Sequence, residues 1–390
     1  MMLTFSYHFK PSIQFGCSLA SKLGEELISV CPEKRVLIIS DPGVIAAGLA
    51  DAVLASLKKN GFTVDLFNDL KGESAAGPID AAAESIRTLR PDAVIGLGGG
   101  SALDVAKLAT VISAGDHRAE YYALMNHPLP QRTEKLIMLP TTAGTGAEVT
   151  RTAVFTNSDN RKVWAWGDEL AADLVILDPE LTLTLPKMLT AATGLDAMVH
   201  AIEACSAKSS NSVVRAFGLH AIRLIFQNLE KTIERPQGLD ARGKLLMAST
   251  LAGMAIDASG TGIAHAIGHA LGTVAGIHHG RAAGLALKVV FLKNAEAATD
   301  IHSEIALAMG VQPGNAPIET HAKMGAQAFS DFVRRTGVEI SLKPDGLTRN
   351  DLNRLVDAIH SKENKPMLDN NCYCASEADI RDFARQLLSR

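Results

Sequence analysis

The sequence predicts two domains, an open parallel α/β sheet followed by an all-helical domain. Three observations carry this. Apolar runs rich in β-branched residues alternate with helical stretches as far as residue 187. Long Ala- and Leu-rich segments with a 3.6-residue period replace them over residues 188–390. The chain has 390 residues, more than the roughly 250–300 over which a single core usually grows.

The elements follow in order. "RVLIIS" (35–40) is a continuous apolar run ending at Asp41-Pro42-Gly43, a buried parallel strand meeting a turn. "LADAVLASLKKNG" is helical, with Gly61 placed as its C-terminal cap. "FTVDLF" (62–67) is a second strand, and the loop "DLKGESAAGP" (69–78) is the most flexible-looking segment of the first domain. "AAAESIRTLRP" is a helix stopped by Pro91. "AVIGLG" (93–98), "KLIMLPTT" and "LVILDP" complete the strand–helix alternation of a parallel sheet. Beyond Pro186, "VVRAFGLHAIRLIFQNLEKTI", "GKLLMASTLAGMAIDA" and the C-terminal "EADIRDFARQLLSR" read as helices.

Composition narrows the function. The net charge is −4, and the basic residues form no cluster beyond pairs such as Lys58-Lys59 and Arg334-Arg335. Nucleic acid is therefore not expected as a partner, because phosphate binding needs concentrated Lys and Arg. No stretch of about 18 apolar residues lacks a charge, so no transmembrane helix is expected. The opening "MMLTFSYHFKPSIQFG" lacks the apolar core and cleavage site of a signal peptide. The five cysteines, Cys17, Cys31, Cys205, Cys372 and Cys374, are few and scattered, which suggests a reducing compartment such as the cytoplasm. The last two are too close to build a zinc ribbon and read as ordinary thiols.

Two loops carry the first chemical signal. Gly98-Gly99-Gly100 lies between a strand and a helix, where bare backbone N–H groups can approach an anion at a helix N-terminus. Ser101 is placed as the helix N-cap, with Asp104 in a capping-box position. Alone, this loop supports phosphate binding no better than a plain tight turn. A second loop, "LPTTAGTGAEVT" (139–150), follows another strand and offers Thr141, Thr142 and Thr145. Both loops at strand ends in one domain point to a nucleotide at the crevice of the sheet. Asp41, ending the first strong strand, suits a ribose hydroxyl and would repel a 2′-phosphate, favouring NAD over NADP.

The second signal is histidine. Four of the chain's 12 histidines, His265, His269, His278 and His279, fall between residues 262 and 280 in a mostly apolar segment. Asp196 and His200 are four apart and share one face of a helix, and His265 and His269 repeat that spacing on a second helix. A lone histidine in an apolar helix is usually satisfied by backbone. Two such pairs in apolar helices favour a divalent cation, which satisfies several buried polar groups at once. One carboxylate with imidazoles suits Fe(II) or Zn(II) rather than Ca²⁺. The spacing leaves open which histidines bind.

"GGGSALDVAK", "TTAGTGAEVT", "LDPELTLTLP", "GLDAMVHAIEA" and "HAIGHALG…HHG" occur in the order and spacing of the iron-containing (group III) alcohol dehydrogenases, and the chain resembles that family over most of its length. The resemblance implies a Rossmann-like dinucleotide-binding domain (1–187) and a helical metal-binding, catalytic domain (188–390), the architecture shared with dehydroquinate synthase, with the active site between them. It implies Asp196, His200, His265 and His279 as metal ligands, with His278 in no site, and His269 as a proton relay near the nicotinamide. It further implies Gly98, Gly99, Gly100, Ser101, Asp104, Thr141, Thr142, Thr145, Lys162, Thr182 and Leu185 as cofactor contacts. A homodimer or larger assembly follows from the same likeness.

Two segments depart from the family pattern. "LKGESAAGP" stands where a Pro-Asn-Pro-like turn is common, and Asn371 is followed by Cys372-Tyr373 rather than Pro-Arg. The expected reaction is metal-dependent hydride transfer between a primary alcohol, diol or hydroxy acid and NAD. The alternatives are a dehydroquinate synthase-like sugar-phosphate cyclase that recycles NAD, and a non-catalytic metal- and nucleotide-binding sensor. A cyclase would want a basic phosphate cluster, and the histidine segment offers little beyond Arg281. Phe155, Trp164 and Trp166 either abut the active site or pack together.

Overall fold

The computed structural model describes residues 4–70, 72 and 74–389. Residues 1–3 of the opening stretch, and Lys71 and Glu73 of the 69–78 loop, lie outside the described residues. The described chain divides into two compact units: residues 9–142 with 146–185, and residues 186–389 with 4–8 and 143–145.

The first unit is built on a six-stranded parallel sheet. Its strands are β1 (Ser12–Phe15), β2 (Arg35–Ser40), β3 (Thr63–Phe67), β4 (Ala93–Gly98), β5 (Lys135–Pro140) and, after an antiparallel hairpin of β6 (Thr152–Thr156) and β7 (Lys162–Trp166), β8 (Leu174–Leu177). The order across the sheet is β1-β8-β5-β4-β2-β3. β4 is buried along its whole length, as a strand covered on both faces must be, which is why it reads as an unbroken apolar run. The chain steps from β2 to β3 on one side, then returns across β2 to β4 on the other. That reversal makes the carboxyl ends of β2 and β4 the switch point where open α/β sheets bind ligands.

The expected strands are all present, and three were not expected: β1 and the β6–β7 hairpin, each only four or five residues long. Helix α1 (Asp51–Lys59) closes as read, with Gly61 at φ +79° and Phe62 N–H bonded back to the Leu57 carbonyl. Helix α2 (Ala76–Leu89) starts inside the segment expected to be loop, and ends with Arg90 left-handed before Pro91. Helix α3 (Gly100–Ile112) is capped by Gly99, not Ser101, which lies within its first turn. The reason is Gly98: at φ +154° it turns the chain earlier than an ordinary residue would, and a methyl group there would lie 2.7 Å from the Ala102 Cβ. Asp104 accordingly makes no capping box; it faces inward, 3.0 Å from Lys107 Nζ, and accepts from the Val154 N–H.

Lys107 is fully buried. Its ammonium donates to the carbonyls of Ala147 (2.9 Å) and Thr152 as well as pairing with Asp104. One buried ion pair thus fixes the backbone leading from the threonine loop into β6. Phe155 on that strand is buried in the core, whereas Trp166 is exposed with the Arg151 guanidinium 4.9 Å over its ring.

The second unit is helical. Helix α4 (Lys187–Ser206) is buried at every residue from Thr190 onward, so it must be the central element. It packs against α5 (Ser212–Glu234), α6 (Leu239–Ser259) and α8 (His279–Ala297), and α7 (Ile263–Ala275) lies against α8. The core they share contains Leu195, Val199, Ile202, Leu229, Ile267 and Phe291. Among the described residues no helix is long and apolar enough to cross a membrane.

Removing one member of a buried ion pair leaves the other charge uncompensated. Asp104→Ala is expected to cost about 3–5 kcal/mol of stability, and adding Lys107→Met to recover part of it. Urea unfolding followed by tryptophan fluorescence checks this, since both tryptophans lie in β7 of the same unit.

Candidate metal centre and nucleotide crevice

Asp196 and His200 lie one turn apart on α4, His265 in the first turn of α7, and His279 at the start of α8. Each offers one ligand atom, and the four atoms lie within 4.8 Å of one another. The Asp196 Oδ1 is 3.4 Å from His279 Nε2 and 3.9 Å from His265 Nε2. The His200 and His265 rings stack at 4.5 Å between centroids, nearly parallel at 14°. His269 falls outside the four, with its ring 5.2 Å from that of His279. His278 is exposed and precedes the α8 helix.

Asp196 Oδ1 and His265 Nε2 are buried without a hydrogen-bond partner. Stranding such atoms costs about 1–3 kcal/mol each, so an apolar helical core does not gather them without a compensating ligand. A carboxylate with three imidazoles fits a divalent transition ion. The remaining ring nitrogens are arranged to leave ligand lone pairs inward. His200 Nδ1 lies 3.3 Å from the Gly144 carbonyl, which directs its Nε2 elsewhere. Burial holds this imidazole neutral, pushing its pKa down to about 4 against the opposing pull of Asp196. Burial acts in the same direction on His265, but the adjacent Glu203 carboxylate outweighs it and raises the pKa above the ordinary histidine value.

Glu203 was missed in reading the sequence. It is buried and sits 2.5 Å from His265 Nδ1. The signal was there: Glu203 is three residues beyond His200 and seven beyond Asp196, on the same face of α4.

In the sheet unit, Asp41, Gly98, Gly99, Gly100, Thr141 and Thr142 gather at the carboxyl ends of β2, β4 and β5. The Thr141 N–H donates to the Gly98 carbonyl at 2.9 Å, and a methyl group on Gly99 would lie 3.3 Å from Thr142 Cγ2. Asp41 accepts from the Val44 N–H with Oδ1 and turns Oδ2 towards Gly98. Ser101 is on the first turn of α3 beside them. Asp104 is committed to Lys107 and Val154. Lys162 opens β7, opposite Thr156. Thr182 is buried, its hydroxyl donating to the Pro179 carbonyl, and Leu185 follows in the same turn. Thr145 belongs with the helical unit, beside the Gly144 that meets His200.

Comparison with known proteins decides the family. Residues 11–179 match the family described as iron-containing alcohol dehydrogenase, and residues 190–387 the C-terminal domain of the Fe-containing alcohol dehydrogenase family. The chain belongs to the iron-containing alcohol dehydrogenases. It is a metal-dependent alcohol oxidoreductase.

Long-chain-alcohol dehydrogenase 1 of Geobacillus thermodenitrificans (strain NG80-2) is 33% identical over 354 residues, covering 89% of this chain and 88% of that protein. The 4-hydroxybutyrate dehydrogenase of Cupriavidus necator is 31% identical over 391 residues, covering 96% and 97%. Among solved structures, sulfoacetaldehyde reductase from Bifidobacterium kashiwanohense in complex with NAD+ superposes with a TM-score of 0.89 at 29% identity, covering both chains fully. Relatives that oxidise or reduce alcohol and aldehyde groups do not favour the cyclase or sensor alternatives. Nor does Arg281, whose guanidinium is taken up by both Asp345 oxygens and the Glu339 and Ser341 carbonyls.

Fe(II) or Zn(II) at about 100 times its Kd is expected to add about 2.7 kcal/mol to the unfolding free energy of the metal-free protein. Thermal shift measurements with and without a chelator read this directly, and His200→Ala should show little of the gain.

Proposed function

We propose that the chain catalyses reversible hydride transfer between a primary alcohol, diol or hydroxy acid and NAD, giving the aldehyde, NADH and a proton. Asp196, His200, His265 and His279 hold the cation; Fe(II) is the ion expected from the family, and Zn(II) suits the same donors. The observation that carries this reading is the buried cluster of these four side chains with its stranded Asp196 and His265 atoms. When bound, the cation supplies Lewis acidity towards an alcohol oxygen and the nicotinamide supplies the hydride acceptor.

The chain's own groups do the rest. Gly98, Gly99, Gly100 and Ser101 present backbone N–H groups to the pyrophosphate at the start of α3. Thr141, Thr142, Thr145 and Lys162 hold the cofactor further along, and Thr182 and Leu185 flank the nicotinamide ribose. Asp41 accepts from the adenosine ribose, which favours NAD over NADP. Asp104 supports this site through Lys107 and the β6 backbone. His269, one turn beyond His265, carries the alcohol proton outward, through water or a ribose hydroxyl. Residues 1–187 thus serve NAD binding, and residues 188–390 metal binding and catalysis. The NAD+ complex of the sulfoacetaldehyde reductase supports the cofactor reading.

The few, scattered and unpaired cysteines support a cytoplasmic enzyme, and the family likeness supports a homodimer. The relatives' names support a small-molecule substrate carrying a primary hydroxyl or aldehyde group.

Anaerobically prepared enzyme, either chelated, Fe(II)-loaded or Zn(II)-loaded, should produce NADH from a panel of short primary alcohols and diols only when metal is present. His265→Ala should lose retained metal and turnover together; full activity without metal would overturn the assignment.

A further inference from the structure

We propose that Glu203 is a positioning residue for the cation site, fixing both the tautomer of His265 and the start of the helix that carries it. The inference rests on the assignment of His265 as a ligand. The Glu203 Oε2 accepts from the Gly262 N–H at 2.8 Å and Oε1 from the Ala264 N–H at 2.7 Å. These are two of the N–H groups that a helix N-terminus leaves without partners, and no side chain of the α7 N-cap, a glycine, can satisfy them.

The same Oε2 lies 2.5 Å from His265 Nδ1. An ionised carboxylate only accepts, so this contact requires the proton on Nδ1. In the neutral ring, the form that binds a cation, the lone pair is then on Nε2, the atom 3.9 Å from the Asp196 Oδ1. Gly262 makes the approach possible: a methyl group there would lie 2.9 Å from Glu203 Oε1 and 2.6 Å from Asn371 Oδ1. One carboxylate on α4, the helix that bears Asp196 and His200, therefore sets the position and the ring orientation of a third donor on α7. A hydrogen-bonded carboxylate behind a histidine also strengthens it as a ligand.

The rival account is that Glu203 only caps α7, a task shared with Asn371, whose Oδ1 faces the Ile263 N–H at 3.3 Å. Glu203→Gln separates the two. Its amide oxygen, in the place of Oε1, can keep accepting from the Ala264 N–H, whereas its NH₂ group, in the place of Oε2, gives up the Gly262 N–H, donates to Nδ1 and moves the histidine proton to Nε2, where the cation must bind. Co(II) binding by the full-length chain is the probe, followed by visible absorption.

The variant is expected to lose about 10–100-fold in Co(II) affinity and to change the ligand-field bands, with Glu203→Asp recovering part of both. An unchanged affinity and spectrum in a variant that is merely less heat-stable would overturn the proposal. Should Glu203→Gln fail to fold, ¹⁵N-histidine NMR of the zinc-loaded wild type decides: a protonated His265 Nδ1 is expected, and a bare one overturns it. A wild-type chain that binds no Co(II), or a His265→Ala chain that binds it as tightly as wild type, would instead sink the ligand assignment itself.

Discussion

The helical unit is organised by one constraint: a carboxylate and imidazoles buried in a core of alanine, leucine and isoleucine must each find a partner. Asp196 and His200 are on α4 because that helix is buried on every side, and burial is what keeps His200 neutral and able to donate a lone pair. The Gly144 carbonyl and the Glu203 carboxylate take the outward nitrogens of His200 and His265, so the inward ones face a common point. What remains unsatisfied, Asp196 Oδ1 and His265 Nε2, is what a cation supplies.

The sheet unit follows a different logic. Its switch point lies between β2 and β4, and the residues placed there are those that keep the backbone accessible: Gly98 with a positive φ, Gly99 extended at the helix cap, and the short hydroxyl side chains of Thr141 and Thr142. Asp104 occupies a capping-box position without capping the helix. Its spacing from Ser101 resembles a cap, yet its carboxylate pairs with the fully buried Lys107, and together they fix the 147–154 backbone. Support for the crevice thus comes from beneath it, through a charge pair removed from water.

Elements with strong periodicity or unbroken apolar runs were legible because their pattern is set by burial. The strands from 35 to 40 and 93 to 98 are buried almost throughout, and the helices after Pro186 carry apolar residues at the helical period. β1, "SIQF", and the hairpin strands "TAVFT" and "KVWAW" were not legible: four or five partly exposed residues carry too little signal, and pairing decides them, of β1 with the distant β8 and of β6 with β7. The start of α2 at Ala76 was hidden by Gly77 and Pro78, which mark a turn in general but sit without strain in a first helical turn.

By itself the sequence determined the class of each unit, the glycine and threonine loops, and the pairs Asp196–His200 and His265–His269, since local spacing governs which side chains share a helix face. It could not decide which histidines converge. His265 and His269 are equivalent by spacing, and His278 and His279 are adjacent; only the packing of α4, α7 and α8 brings His265 and His279 to Asp196 and turns His278 to solvent. Glu203 is the same case, because its role depends on an α7 N-terminus 59 positions away in sequence reaching within 2.8 Å of its carboxylate. Hydrogen-bond partners of a buried ring nitrogen are long-range contacts, and such contacts are fixed by tertiary structure alone.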